Sequence, residues 1–124
     1  MLKQAFTTVA IICALGCGGS NGTTDPNINT PPPPGGISVE NNFFSPQSKS
    51  VAAGTTVEWA WNSCSGGGVY GGQTCVTHDI LFDDGATSGQ KSQGTYSRSF
   101  ATAGTYPYHC SIHGTAMSGS IVVQ

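Results

Sequence analysis

Tyr106-Pro107-Tyr108-His109-Cys110-Ser111-Ile112-His113-Gly114-Thr115-Ala116-Met117-Ser118-Gly119-Ser120-Ile121-Val122-Val123 is the stretch that decides the fold. Tyr106, Tyr108 and Cys110 alternate along it, so a strand here turns all three side chains to one face, into a core. Ile121 and Val123 restart the same alternation after a short interruption. Cys110, His113 and Met117 gather around that interruption, and the whole reads as strand, ligand loop, strand. A thiol, an imidazole and a thioether on one loop do not close a metal site. A fourth donor has to come from elsewhere, and the best candidate is His78 in Val76-Thr77-His78-Asp79-Ile80-Leu81-Phe82.

The donor types narrow the ion. Thiolate and thioether are soft and favour Cu(I), whereas imidazole serves both oxidation states; two His and one Cys in a plane with a long axial Met form an electron-transfer copper site. Zinc accepts Cys and His but gains little from a thioether. Each residue alone has a plainer reading: Cys110 as a small buried hydrophobe, Met117 as core filler, a single His as a polar residue at a rim. Together they use every Met beyond Met1 and leave only His109 among the histidines. His109 adjoins Cys110, so alternation sends it to the opposite face, and it reads as a surface residue.

The pattern resembles the plastocyanin/azurin family of small blue (type 1) copper proteins, the cupredoxins. The family has a distant His, then Cys-x-x-His with a Met a few residues on, then Gly-x-Ile/Val-x-Val. Here these are His78, Cys110, His113, Met117 and Gly119-Ser120-Ile121-Val122-Val123, and the resemblance covers about residues 37 to 124. It implies one type 1 copper ion on His78, Cys110, His113 and Met117, in a Greek-key β-sandwich with the metal at one end. It also implies that electrons enter and leave at the exposed edge of His113, among small residues such as Gly114 and Ala116. The family often carries Asn after the first His, tying the two ligand-bearing segments together; this chain has Asp79. A carboxylate can accept a hydrogen bond from Ser111 but lacks the amide's donors.

The rest of the chain sets the context. With 124 residues, 18 glycines and only 8% charged residues, it is expected to be one small domain plus tails. A formal charge of −2 and no basic cluster argue against nucleic acid. Residues 1–17 look like a targeting segment: Lys3 gives a basic start, Ala5 to Leu15 is mostly apolar, and Ala14-Leu15-Gly16-Cys17 ends it on small residues. This ending resembles a bacterial lipoprotein signal, which implies a lipid on Cys17; an ordinary secretory signal is the alternative. Either implies export to an oxidising compartment. Cys64 and Cys75 can pair there, leaving Cys110 as the odd thiol. The rival pairing, Cys110 with either of them, would abolish the metal site.

Residues 18–36 are Gly, Ser, Asn, Thr and Pro rich, with Pro31 to Pro34 in a row, and read as a disordered tether. The folded domain is expected over 37–124. A first strand is expected around Ile37 to Phe44, broken by Ser45-Pro46. Val57, Trp59 and Trp61 alternate as a half-buried strand, Asn62 to Thr77 is a glycine-rich insertion, and Val76 to Phe82 is the next strand. With Tyr96 to Phe100 and the two strands flanking the ligand loop, the expectation is an all-β sandwich of seven to eight strands.

The function expected is an exported electron carrier, periplasmic or on the cell surface and lipid-anchored to a membrane. It is expected to act as a monomer with redox protein partners of cytochrome or oxidase type. The alternative is a copper carrier or storage protein of the same fold. An enzyme is disfavoured: an oxidase requires further histidine clusters for its oxygen-reducing centre, and three histidines cannot supply them.

Overall fold

The computed structural model describes residues 29–68 and 71–124. Ten strands follow in order: β1 (Ile37–Val39), β2 (Phe44–Ser45), β3 (Ser48–Val51), β4 (Thr55–Trp61), β5 (Cys64–Gly68), β6 (Gly71–Cys75), β7 (Leu81–Phe82), β8 (Thr95–Phe100), β9 (Gly104–Cys110) and β10 (Gly114–Val123). Eight of them form two four-stranded sheets, ordered β2-β1-β4-β8 and β3-β10-β9-β7. Most neighbours are antiparallel, while β1 runs parallel to β4 and β3 parallel to β10.

The all-β sandwich therefore stands. Its two sheets hold eight strands, within the seven to eight expected, and the glycine-rich insertion adds a separate hairpin. β5 and β6 pair with each other and with no other strand, in a register that sets Cys64 opposite Cys75. The expectation for the next segment is corrected. Val76 to Phe82 is a strand only at Leu81–Phe82, because His78 is engaged elsewhere, in an isolated bridge with Lys91.

Alternation predicts the core. On β4, Val57, Trp59 and Trp61 turn inward and are buried, with Ala60 buried between them. β4 lies between β8, which pairs along Thr55–Ala60, and β1, which covers its Trp59–Trp61 end. On the facing sheet Phe82, Tyr108, Cys110, Met117, Ile121 and Val123 are buried. The layers meet through rings. Trp59 packs edge-on against Phe82 (centroids 5.8 Å) and Tyr108 (5.6 Å), and Phe44 packs edge-on against Tyr108 at 4.9 Å. Such contacts contribute about 0.5–1.5 kcal/mol each beyond area burial. Burial pushes the Tyr108 phenol up to about 12, offset in part by the neighbouring Trp59 indole.

The tether expected over 18–36 ends sooner than its composition suggests. Asn29 clasps the backbone of Cys64 with both ends of its amide: Oδ1 accepts from Cys64 N (2.8 Å) and Nδ2 donates to Cys64 O (3.0 Å). Thr30 N donates to Trp61 O at 3.0 Å. Asn29 and Thr30 thus lie against the domain. The expected signal over 1–17, Cys17 and most of the tether fall outside the described residues.

Candidate metal centre

His78, Cys110 and His113 come together at one end of the sandwich. Their donor atoms all lie within 4.8 Å of one another. The Cys110 sulfur is 3.5 Å from His113 Nδ1 and 3.9 Å from His78 Nδ1. Each position follows from local structure. Cys110 ends β9 and faces inward, as the alternation of Tyr106, Tyr108 and Cys110 requires. A turn then carries the chain into β10: Gly114 pairs with Cys110, and His113 N donates to Cys110 O at 3.2 Å. Gly114 takes a φ of 60° there, a left-handed conformation that costs glycine little. The register of β10 against β9 slips between Gly114 and Ser118, and Met117, 1% exposed, sits inside that bulge. Bulges commonly re-aim a side chain in this way.

His78 arrives from the far segment and is held by its backbone. Its N donates to Lys91 O and its O accepts from Lys91 N, each at 3.0 Å. The Trp61 indole N–H donates to His78 O as well, at 3.3 Å. Upstream, Ser63 Oγ donates to Val76 O (2.8 Å) and Val76 N to Ser63 O (3.0 Å), bringing the chain off the Cys64–Cys75 disulfide. Downstream, Asp79 accepts from Ser111 N (2.6 Å) and Ser111 Oγ (2.5 Å). This ties the His78 segment to the turn after Cys110.

The state of His78 suits ligation. Burial, with help from His113, holds the His78 imidazole below its usual range, while Asp79 acts the other way. It is therefore neutral near pH 7, the form that ligates metals. Its Nε2 is buried with no hydrogen-bond partner. Among the described cysteines only Cys110 is outside a disulfide, and it is buried. A buried thiol with two imidazole Nδ1 atoms converging on it fits a soft transition-metal ion.

The model of "Copper binding proteins, plastocyanin/azurin family" matches residues 36–124. The chain belongs to this family. Its cofactor is accordingly copper. The plastocyanin of Scenedesmus fuscus is 35% identical over 95 residues, covering 65% of this chain and 86% of that protein. A purple cupredoxin from Nitrosopumilus maritimus superposes with a TM-score of 0.57 at 23% identity, over 71% of this chain and 97% of that one, a likeness of fold. An oxidised amicyanin mutant gives 0.56 at 25% identity, over 71% and 79%. The plastocyanin/azurin membership places this chain among copper-binding electron-transfer proteins and not among enzymes. Members of the family are typically exported, to periplasm or lumen.

Two residues that help hold the site were read from sequence in other terms or not at all. Trp61 was expected as core packing, and its alternation gave no sign of the bond from its indole to His78 O. Lys91 lies in a stretch with no periodicity, so its pairing with His78 is visible only in three dimensions.

Proposed function

We propose that this protein is an electron carrier of the cell envelope that holds one type 1 copper ion on His78, Cys110, His113 and Met117. The observation that carries the reading is the convergence of two imidazole nitrogens on one buried, unpaired cysteine sulfur. Bound copper supplies a one-electron couple between Cu(I) and Cu(II). Cys110 would hold the ion through its sulfur, and His78 and His113 through ring nitrogens. Met117, buried within the β10 bulge, would add a thioether as a weak fourth donor. Core packing around Cys110 and Met117 keeps bulk water from the sulfurs. The paired backbones of His78 with Lys91 and Cys110 with Gly114 keep the donors in place, the preorganisation that a rapid carrier requires.

The half-buried His113 is the route for electrons in and out. Ile112 beside it is 47% exposed and Val76, near His78, is 37% exposed. Apolar residues at this end suit transient contact with redox protein partners of cytochrome or oxidase type, with little steering by charge. We assign residues 1–17 to an export signal and Cys17 to lipid attachment, which would hold a monomer on a membrane surface. Detergent partitioning of the exported chain, abolished in Cys17→Ser, tests the anchor.

Adding Cu(II) to the purified protein should give an intense blue colour that Cys110→Ser lacks, with reversible one-electron voltammetry. A colourless copper adduct defeats the proposal.

A further inference from the structure

We propose that Lys91 shifts the redox balance of the site: its backbone is paired with that of His78, and its ammonium lies over the Trp61 ring, one indole away from His78 O, as a positive charge that favours the reduced ion. This rests on the copper reading above.

The pairing is direct. His78 and Lys91 exchange both backbone hydrogen bonds in an antiparallel bridge. Residues opposite one another in such a pair send their side chains to the same face, with Cβ atoms about 4.5–5.5 Å apart. The stem of Lys91 therefore starts beside His78.

Its head folds back along the protein surface. The ammonium lies 5.2 Å from the centroid of the Trp61 ring and donates to Thr95 O at 3.0 Å. The same indole donates from its edge to His78 O. Trp61 thus touches the ligand residue through its N–H and the cation through its face.

The charge is also uncompensated. Among the described residues, the ion pair formed is Arg98 with Asp84, and no carboxylate lies within ion-pair distance of Lys91. On the other side of His78, the Asp79 carboxylate is engaged by Ser111. The ligand thus stands between residues of opposite charge, Asp79 next in sequence and Lys91 across the bridge. A fixed positive charge favours the state with the smaller positive charge, which is Cu(I), and its effect declines with distance and salt.

The test compares the copper-loaded full chain with Lys91→Met, which keeps an apolar stem over Trp61, and Lys91→Arg, which keeps the charge. At a fixed solution potential and low salt, Lys91→Met should raise the Cu(II) to Cu(I) ratio by about twofold. A tenfold change corresponds to about 59 mV for one electron. Lys91→Arg should stay close to the parent, the blue absorption should be unchanged in both variants, and high salt should shrink the gap. A Lys91→Met ratio equal to the parent's overturns the proposal. So does an equal shift in Lys91→Arg, which would make packing and not charge the cause. If the parent chain forms no coloured copper complex, the functional reading fails and takes this one with it; a coloured complex indifferent to the charge removes this one alone.

Discussion

Asp79 and Ser111, 32 residues apart in sequence, are joined by two hydrogen bonds, one to each carboxylate oxygen. Asp79→Ala removes both and leaves the Ser111 N–H to find water. Hydrogen bonds to charged groups contribute about 1.5–3 kcal/mol each, so denaturant titration of the metal-free protein should show a loss of about 3–6 kcal/mol. Asp79→Asn should cost less, because its carbonyl can keep Ser111 N and its amide can donate to Ser111 Oγ. It also removes a negative charge beside His78 and should raise the reduction potential. An unchanged potential would show that the carboxylate acts through geometry alone.

Met117 separates packing from ligation. Met117→Leu conserves volume in a buried position and should change metal-free stability by less than about 1.5 kcal/mol. With the soft thioether gone, the potential and the visible spectrum of the copper form should both move. If stability falls sharply while the spectrum stays put, Met117 is filler.

Gly119 faces Tyr108 across the β9–β10 pair. A Cβ at this position would lie 2.6 Å from Tyr108 Cζ and Oη and 2.8 Å from Gln47 O. Gly119→Ala should therefore cost about 1–3 kcal/mol, since either the ring or the Gln47 backbone has to move. In a domain of this size each kcal/mol lowers the melting temperature by about 4–8 °C. Calorimetry that finds no change would mean that Tyr108 relocates freely.

The disulfide tests whether the hairpin supports the site or only borders it. Changing Cys64 and Cys75 together to Ser opens a loop of sequence separation 11 and should lower stability by roughly 3 kcal/mol. The blue colour should persist, because β9, β10 and the Lys91 bridge still place the donors. Loss of colour under conditions where circular dichroism shows a folded sandwich would assign the hairpin a direct part in holding His78.

Arg98 binds Asp84 while its guanidinium lies 4.2 Å from the Phe82 ring centroid and 5.0 Å from that of Phe100. The Arg98 hydrogen bonds hold the Asp84 carboxyl below its usual value. A depressed folded value stabilises above the ordinary carboxylate range, and the contribution is lost as pH falls through the folded value. Asp84 is exposed, so Asp84→Asn should cost well under 1 kcal/mol at pH 7. The parent and this variant should then converge in stability as pH falls below the folded Asp84 value. Arg98→Ala should cost more than Asp84→Asn at pH 7, because it also uncovers the rings.

Much of this arrangement was legible in the residues. The alternation of Tyr106, Tyr108 and Cys110, resumed at Ile121 and Val123, specified two strands around a ligand turn, and Val57, Trp59 and Trp61 specified the facing strand. Alternation is a local signal and works where one face is buried. It misled at Val76 to Phe82, where apolar residues suggested a longer strand but the backbone of His78 pairs with Lys91 and leaves only Leu81–Phe82 in the sheet. It was silent over Cys64 to Cys75, where glycines carry no side-chain pattern although their backbone forms a hairpin. Composition misled at Asn29 and Thr30, since polar residues beside a proline run look like free tether until their backbone partners are known.

The grip of Asn29 on Cys64 has a mechanical consequence. Any pull on the N-terminal tail arrives first at a residue stapled covalently to Cys75. The hairpin base takes that load before it can reach the imidazole three positions further on. A protein tugged from this end can strain at its collar while the donors around Cys110 stay where they are.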